Sequence, residues 1–243
     1  MKTLPFLRAE FASPIAPGEL PAFYAALTDH LGFTGNTLFE AQWATAAELT
    51  QGVGQAEPHR RPTLKYPFLQ LKLRYRGQQH RPLLLYFGER IPAVVQALQA
   101  YQEAGISIGQ RYFPLRIQEY QLRAFPAPRP QPPFAYRLFQ YLPCAPQNLG
   151  AYQEAPDLLR RRELVERLLY NHLMAFAEAV GYAGPAPELR NVRYLRQRTL
   201  RRDGRRLPCF DLQFEATLSL PPFIGLGHKA EVGHGVVSLS AGK

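Results

Sequence analysis

Residues 3 to 13 alternate apolar and polar side chains, the period of a half-buried strand, until Pro14 and Pro17-Gly18 interrupt it. Glu19 to Leu31 then sets Leu20, Phe23, Leu27 and Leu31 at helical spacing, and Gly32 and Gly35-Asn36 stop the helix. Residues 44 to 63 read as irregular, with Gly52-Val53-Gly54 followed by a polar Glu57-Pro58-His59-Arg60-Arg61-Pro62 run. From Leu64 to Tyr75 the alternation returns: Phe68, Leu69, Leu71, Leu73 and Tyr75 are separated by Gln70, Lys72 and Arg74. Gly77 turns this strand into a second one at Pro82 to Phe87, and a helix follows over Ile91 to Glu103. Gly105 ends the helix, and a strand is predicted over Ile106 to Leu122. The order β-α-β-β-α-β is the split βαβ arrangement of ferredoxin-like folds.

A proline-rich stretch near residues 125–135 reads as a linker, and the second half repeats the theme. Tyr136 to Leu142 is a strand. Asp157 to Val180 is the longest helix, its apolar face made by Leu158, Leu164, Val165, Leu168, Leu169, Leu173 and Phe176. Leu189 to Leu200 and Pro208 to Leu220 form a hairpin around Asp203-Gly204, and Val236 to Leu239 is a last strand. The expected class is α+β, with two tandem ferredoxin-like (RRM-like) domains at 1–124 and 136–243.

Between the last two strands lies a glycine-rich loop. Gly225, Gly227, Gly233 and Gly235 bracket His228, Lys229 and His234. Glycines at this density allow tight turns and a close approach of backbone to a ligand. No Gly-Lys-Ser/Thr opens a helix, so this is not a Walker loop, and no βαβ unit follows Gly225-x-Gly227 to make a dinucleotide site.

Charge sharpens the picture. The 243 residues carry a formal net charge of +10, and nearly all the positive side chains are arginine; the lysines are only 2, 65, 72, 229 and 243. Such a balance favours polyanionic partners, and arginine forks match phosphates. Lys72 and Arg74 share one strand face and, with Arg60, Arg61 and Lys65, make a candidate basic stripe. A second cluster runs along the predicted hairpin: Arg190, Arg193, Arg196, Arg198, Arg201, Arg202, Arg205 and Arg206. Arg160-Arg161-Arg162 reads as plain surface. Cys144 and Cys209 give neither a zinc pattern nor a disulfide framework and read as core residues. No run of about 18 apolar residues predicts a membrane span. The start of the chain does not look like a signal peptide, so a cytoplasmic protein is expected.

Four segments resemble one family. Glu19-Leu20-Pro21-Ala22-Phe23 resembles its opening helix, Tyr66-Pro67-Phe68-Leu69-Gln70-Leu71-Lys72 a strand, and Asn171-His172-Leu173-Met174-Ala175-Phe176-Ala177 a helix. Leu220-Pro221-Pro222-Phe223-Ile224-Gly225-Leu226-Gly227 resembles its glycine-rich loop. In this order the chain is similar to the Cas6 endoribonucleases that cut CRISPR precursor transcripts within their repeats, the b-type branch above all. The resemblance implies metal-independent attack of a ribose 2′-oxygen on the adjacent phosphate, giving 2′,3′-cyclic phosphate and 5′-hydroxyl ends, with no cofactor. Such chemistry needs a base, an acid and positive charge for the phosphorane.

The b-type branch carries a catalytic His-x-His after a Leu-Phe pair, whereas this chain reads Leu38-Phe39-Glu40-Ala41-Gln42. The substitutes considered for proton transfer are His59, His228 and Glu40, although an ordinary carboxylate is a poor match to a hydroxyl proton. Expected RNA contacts are Arg60, Arg61, Lys65, Lys72, Arg74, Arg193, Arg196 and Arg198, together with Gly225, Gly227, Lys229, Gly233, His234 and Gly235 of the loop. Implied partners are CRISPR repeat RNA, other effector subunits and a second copy of the chain, with no metal and no membrane. The alternative is a non-catalytic guide-RNA-binding subunit of the same fold.

Overall fold

A computed structural model describes residues 3–31, 66–88, 91–100, 105–126, 130–145, 149–182, 184–202 and 204–240. The chain divides into two compact units, and neither is a continuous stretch. Described residues 3–31, 67–126 and 230–233 form the first; residues 66, 130–229 and 234–240 belong to the second.

In the first unit, β1 (Thr3–Phe11), α1 (Leu20–His30), β2 (Leu69–Arg76), β3 (Gln79–Phe87), α2 (Ile91–Ala100) and β6 (Ile117–Pro126) follow one another. The sheet order is β2-β3-β1-β6, antiparallel throughout, as a ferredoxin-like unit requires. Alternation puts Leu7, Ala9, Phe11, Leu69 and Leu71 on the buried face, where they meet Leu20, Phe23 and Leu27 of α1 and Ile91, Val94 and Leu98 of α2. β2 starts at Leu69, later than expected: the Gln70 side chain donates to the Pro67 carbonyl (3.0 Å), and Pro67 has no amide for a ladder. Gly77 (φ +54°) and Gln78 (φ +68°) make the two-residue turn into β3 that suits a twisted hairpin. The strand expected over Ile106 to Leu122 is instead a small hairpin, β4 (Gly105–Ile108) with β5 (Arg111–Pro114), followed by β6. Gly109, at φ +60°, supplies the turn that breaks it.

In the second unit, β7 (Pro130–Tyr141), α3 (Leu149–Gln153), α4 (Leu158–Ala179), β8 (Leu189–Arg202), β9 (Arg205–Leu218) and β10 (Val236–Leu239) give the order β10-β7-β9-β8. This is the same ferredoxin-like order, but residues 219–235, where the second helix would stand, contain no helix. The stretch read as a linker is mostly strand. β6 reaches Pro126 and β7 begins at Pro130, with the register irregular between Pro130 and Phe134, where prolines cannot donate to a ladder.

Asp157 caps α4 by accepting the Arg160 amide (2.8 Å), and the helix buries Val165, Leu168, Leu169, His172, Leu173 and Phe176. Leu158, expected on that face, is exposed because it sits in the first turn. β8 and β9 form a longer hairpin than expected, Arg202 opposite Arg205, turning at Gly204 (φ +72°). Cys144 and Cys209 are buried and free, and burial pushes their thiols up to about 12 and about 11. No helix of the described residues is long and apolar enough to cross a membrane.

Candidate functional site

The glycine-rich loop is built on β7. Its entry is pinned by Tyr136, whose hydroxyl donates to the Leu218 carbonyl (3.1 Å) and accepts the Leu220 amide (3.0 Å). The two arms then pair. Phe223 N–H donates to Val237 O (2.9 Å), Val237 N–H to Ile224 O (2.8 Å) and Leu226 N–H to Gly235 O (2.8 Å). The Tyr66 hydroxyl donates to the Gly225 carbonyl (2.8 Å), with its ring edge-on to Phe176. Farther out, His228 N–H donates to Leu142 O (2.9 Å), Gly235 N–H to Gln140 O (3.1 Å), and His234 N–H closes the tip on Lys229 O (3.3 Å).

Two of the glycines are sterically required. At Gly235 (φ +60°) a Cβ would stand 1.7 Å from the Leu226 carbonyl oxygen. At Gly227 (φ +95°) it would stand 2.6 Å from the Tyr141 ring and 2.7 Å from the Leu142 carbonyl oxygen. Any side chain there would break the pairing of the arms, so the glycine pattern seen in the sequence is a packing requirement before it is a binding one.

The described histidines of the second unit, His172, His228 and His234, lie inside it. Tyr141 Oη and His172 Nδ1 share a hydrogen bond of 2.9 Å, with the rings edge-on. Burial, and then the nearby His228, drive His172 down to about 3, so it is neutral and cannot serve as a cationic acid. His228 and His234 are only 7% and 9% exposed, and Lys229 is half-buried in a left-handed conformation (φ +59°). The loop is therefore a packed element with little imidazole surface.

The basic residues divide into two groups. On β2, Lys72 is buried and donates to the Ala230 carbonyl. Arg74 bonds Glu10 (2.6 Å) and Glu119 (3.1 Å). The expected stripe is thus corrected at both positions: covering by residues 230–233 and pairing with carboxylates consume these charges. On the hairpin, Arg190 pairs with Glu188, and Arg198 grips Asp211 with two bonds (2.7 and 2.6 Å). Asp211 also accepts the amide of Gln140 (2.8 Å), whose carbonyl holds Gly235, so Arg198 braces the loop. Arg193, Arg196, Arg201, Arg205 and Arg206 are exposed and have no ion pair among the described residues. Arg161 and Arg162 lie over the Tyr152 and Tyr194 rings, and Arg160 pairs with Glu163.

Glu40, His59, Arg60, Arg61 and Lys65 lie outside the described residues. Of the remaining site residues, Arg193, Arg196 and Arg198 share one hairpin, and Gly225, Gly227, His228, Lys229, His234 and Gly235 share the second-unit arms and tip of the loop. Gly233 groups with the first unit. Sequence reasoning missed Tyr66, Tyr136, Tyr141 and Asp211 as supports of the loop. No local sequence signal marks Tyr136 and Tyr141, because their strand precedes the loop by about 80 positions and meets it only in the folded sheet. Among the described residues, no group of three or more His, Cys, Asp or Glu could hold a metal ion.

Residues 130–240 match the Cas6b C-terminal domain, a family whose model spans this whole second sheet and loop. The second half of the chain thus resembles a b-type Cas6 C-terminal domain. The fold of the chain is that of solved Cas6 structures. A Cas6b crystal structure is 14% identical, with 98% of this chain and 100% of that chain covered and a TM-score of 0.69. A CRISPR RNA processing endoribonuclease Cas6b is 13% identical, with the same coverage and a TM-score of 0.66. A Cas6 product complex is 13% identical over 99% of this chain and 100% of that chain, with a TM-score of 0.55. Comparison with curated proteins finds no match.

Proposed function

We propose that this chain acts as a Cas6-type protein: it binds CRISPR repeat RNA and cuts it without metal, leaving 2′,3′-cyclic phosphate and 5′-hydroxyl ends. One observation carries the reading: within the Cas6b-matched domain, a braced glycine-rich loop replaces a helix and is tied through Arg198 and Asp211 to a hairpin on which Arg193, Arg196, Arg201, Arg205 and Arg206 are exposed and have no ion pair among the described residues. The arginines Arg193, Arg196, Arg201, Arg205 and Arg206 take the RNA phosphates, and Lys229 takes charge near the scissile group. His228 and His59 are the proton-transfer residues of this reading, because an ordinary imidazole titrates near neutral pH.

A second reading, a guide-RNA-binding subunit that does not cut, is favoured by the burial of His228 and His234 and by Glu40-Ala41-Gln42 in place of His-x-His. Incubation with the cognate repeat RNA in EDTA separates them. The first reading expects cleavage with cyclic-phosphate ends, and loss of cleavage in His228→Ala or His59→Ala. Tight binding with no cleavage in any buffer supports the second. Failure to bind repeat RNA more tightly than unrelated RNA of equal length removes both.

A further inference from the structure

Lys72 is the most deeply buried cation among the described residues, at 1% exposed, and its contact with residues 230–233 lies within the first unit. Within the first unit, residues 230–233 run beside β2 as a short parallel extension of its edge. Leu71 N–H donates to the Glu231 carbonyl (2.7 Å), and Leu71 bridges Val232. Ala230 and Val232 are buried there. At Gly233 (φ +93°) a Cβ would stand 2.7 Å from Leu20 Cδ2, so the segment lies close against α1. The Lys72 ammonium donates to the Ala230 carbonyl, and the Glu231 carboxylate faces both Lys72 and, on α1, the Tyr24 hydroxyl. Ala230 directly follows Lys229.

We propose that Lys72 is a positioning residue for RNA binding: its buried amino group, which can donate whether charged or neutral, holds the Ala230 carbonyl, fixes residues 230–233 along β2, and so sets the shape of the glycine-rich loop that grips the RNA backbone. This rests on the proposed function of the loop. A buried carbonyl is expensive to leave without a donor, so the loop is held wherever Lys72 can donate. Burial lowers Lys72 to about 7, against which Glu231 acts in the opposite direction. Between about pH 7 and the ordinary lysine range, docking of the segment therefore releases a proton. Its strength rises with pH from about 7 towards the ordinary lysine range near 10.5.

The test compares wild type with Lys72→Met, which keeps the aliphatic volume and removes the donor. Amide hydrogen exchange at residues 230–233, corrected for intrinsic rates, is measured at pH 6 and pH 9, with repeat-RNA affinity and Tm alongside. The proposal expects wild-type protection to rise with pH. Lys72→Met should exchange roughly tenfold faster there, show no such pH dependence, and bind repeat RNA roughly tenfold more weakly, the equivalent of one lost hydrogen bond. Glu231→Gln, on a half-buried loop position, should shift exchange in the same direction by less, and it keeps the test alive if Lys72→Met does not fold. Unchanged exchange in the variants overturns the proposal, as does faster exchange with unchanged RNA affinity. If wild type itself does not bind repeat RNA while Lys72→Met still loosens residues 230–233, the fault lies in the functional reading and not in the clasp.

Discussion

The two units share one strand order and differ at the step between the third and fourth strands. In the first, α2 and the β4–β5 hairpin occupy that step; in the second, residues 219–235 occupy it with a glycine-rich loop. Their basic residues differ in the same sense. Lys72 and Arg74 of the first sheet are spent on a carbonyl and on carboxylates, whereas five arginines of the β8–β9 hairpin remain exposed and unpaired among the described residues. The contrast separates two uses of charge. A paired cation at a buried carboxylate acts through folding, and an exposed unpaired one is available to an external polyanion.

The contrast can be broken at several points. Gly235→Ala should have the largest effect. A Cβ 1.7 Å from a backbone oxygen cannot be absorbed by a rotamer change, so a loss of about 4 kcal/mol or more is expected, with the Tm falling and RNA binding lost together. A Tm close to wild type would refute the packing of the loop. Arg74→Ala comes next: it strips the nearest partner from Glu10, which is 1% exposed, and should cost about 3 kcal/mol in denaturant unfolding. Under folding conditions its RNA affinity should be unchanged, and a large affinity loss would erase the distinction between the two basic regions.

Acid provides a third point. His172, held near pKa 3, stays neutral in the folded chain, while an unfolded histidine takes up a proton near pH 6.5. The unfolded state therefore binds more protons as pH falls from 6.5 towards 3, and stability is lost across that window by up to about 1.4 kcal/mol per pH unit. His172→Gln, which can still partner Tyr141, should flatten that part of the stability profile; an unaltered slope would contradict the burial. Smallest in stability is the triple change Arg193→Ala, Arg196→Ala, Arg201→Ala, expected within about 0.5 kcal/mol of wild type. Its effect should appear instead in RNA binding, with a salt slope shallower by about 2 if each arginine meets one phosphate of a single strand.

Much of the fold is legible from periodicity alone. Leu20, Phe23 and Leu27 on α1 and the hairpin turning at Gly204 lie where local pattern puts them, and the strand order follows; β2 is a strand as read, but its burial does not alternate, since Gln70 and Lys72 are buried and Tyr75 is exposed. The failures are of two kinds. Prolines near residue 130 suggested a linker, yet irregular pairing with β9 lets β7 carry them. The burial of Lys72 is invisible to any local window, because its partner Ala230 is 158 positions away. The same holds for the candidate site. The glycines and the arginine hairpin were readable as motifs, whereas the spending of Arg198 on Asp211 and the burial of His228 arise only from tertiary packing.

Under the proposed function, RNA lies on the glycine-rich loop and the β8–β9 hairpin and not on β2. Photo-crosslinking of a repeat RNA, followed by mass spectrometric mapping of the attached peptides, tests it directly. Crosslinks are expected within residues 190–206 and 225–235, reduced in the triple arginine variant. Crosslinks confined to residues 69–87, with the hairpin and loop unmarked, would contradict it.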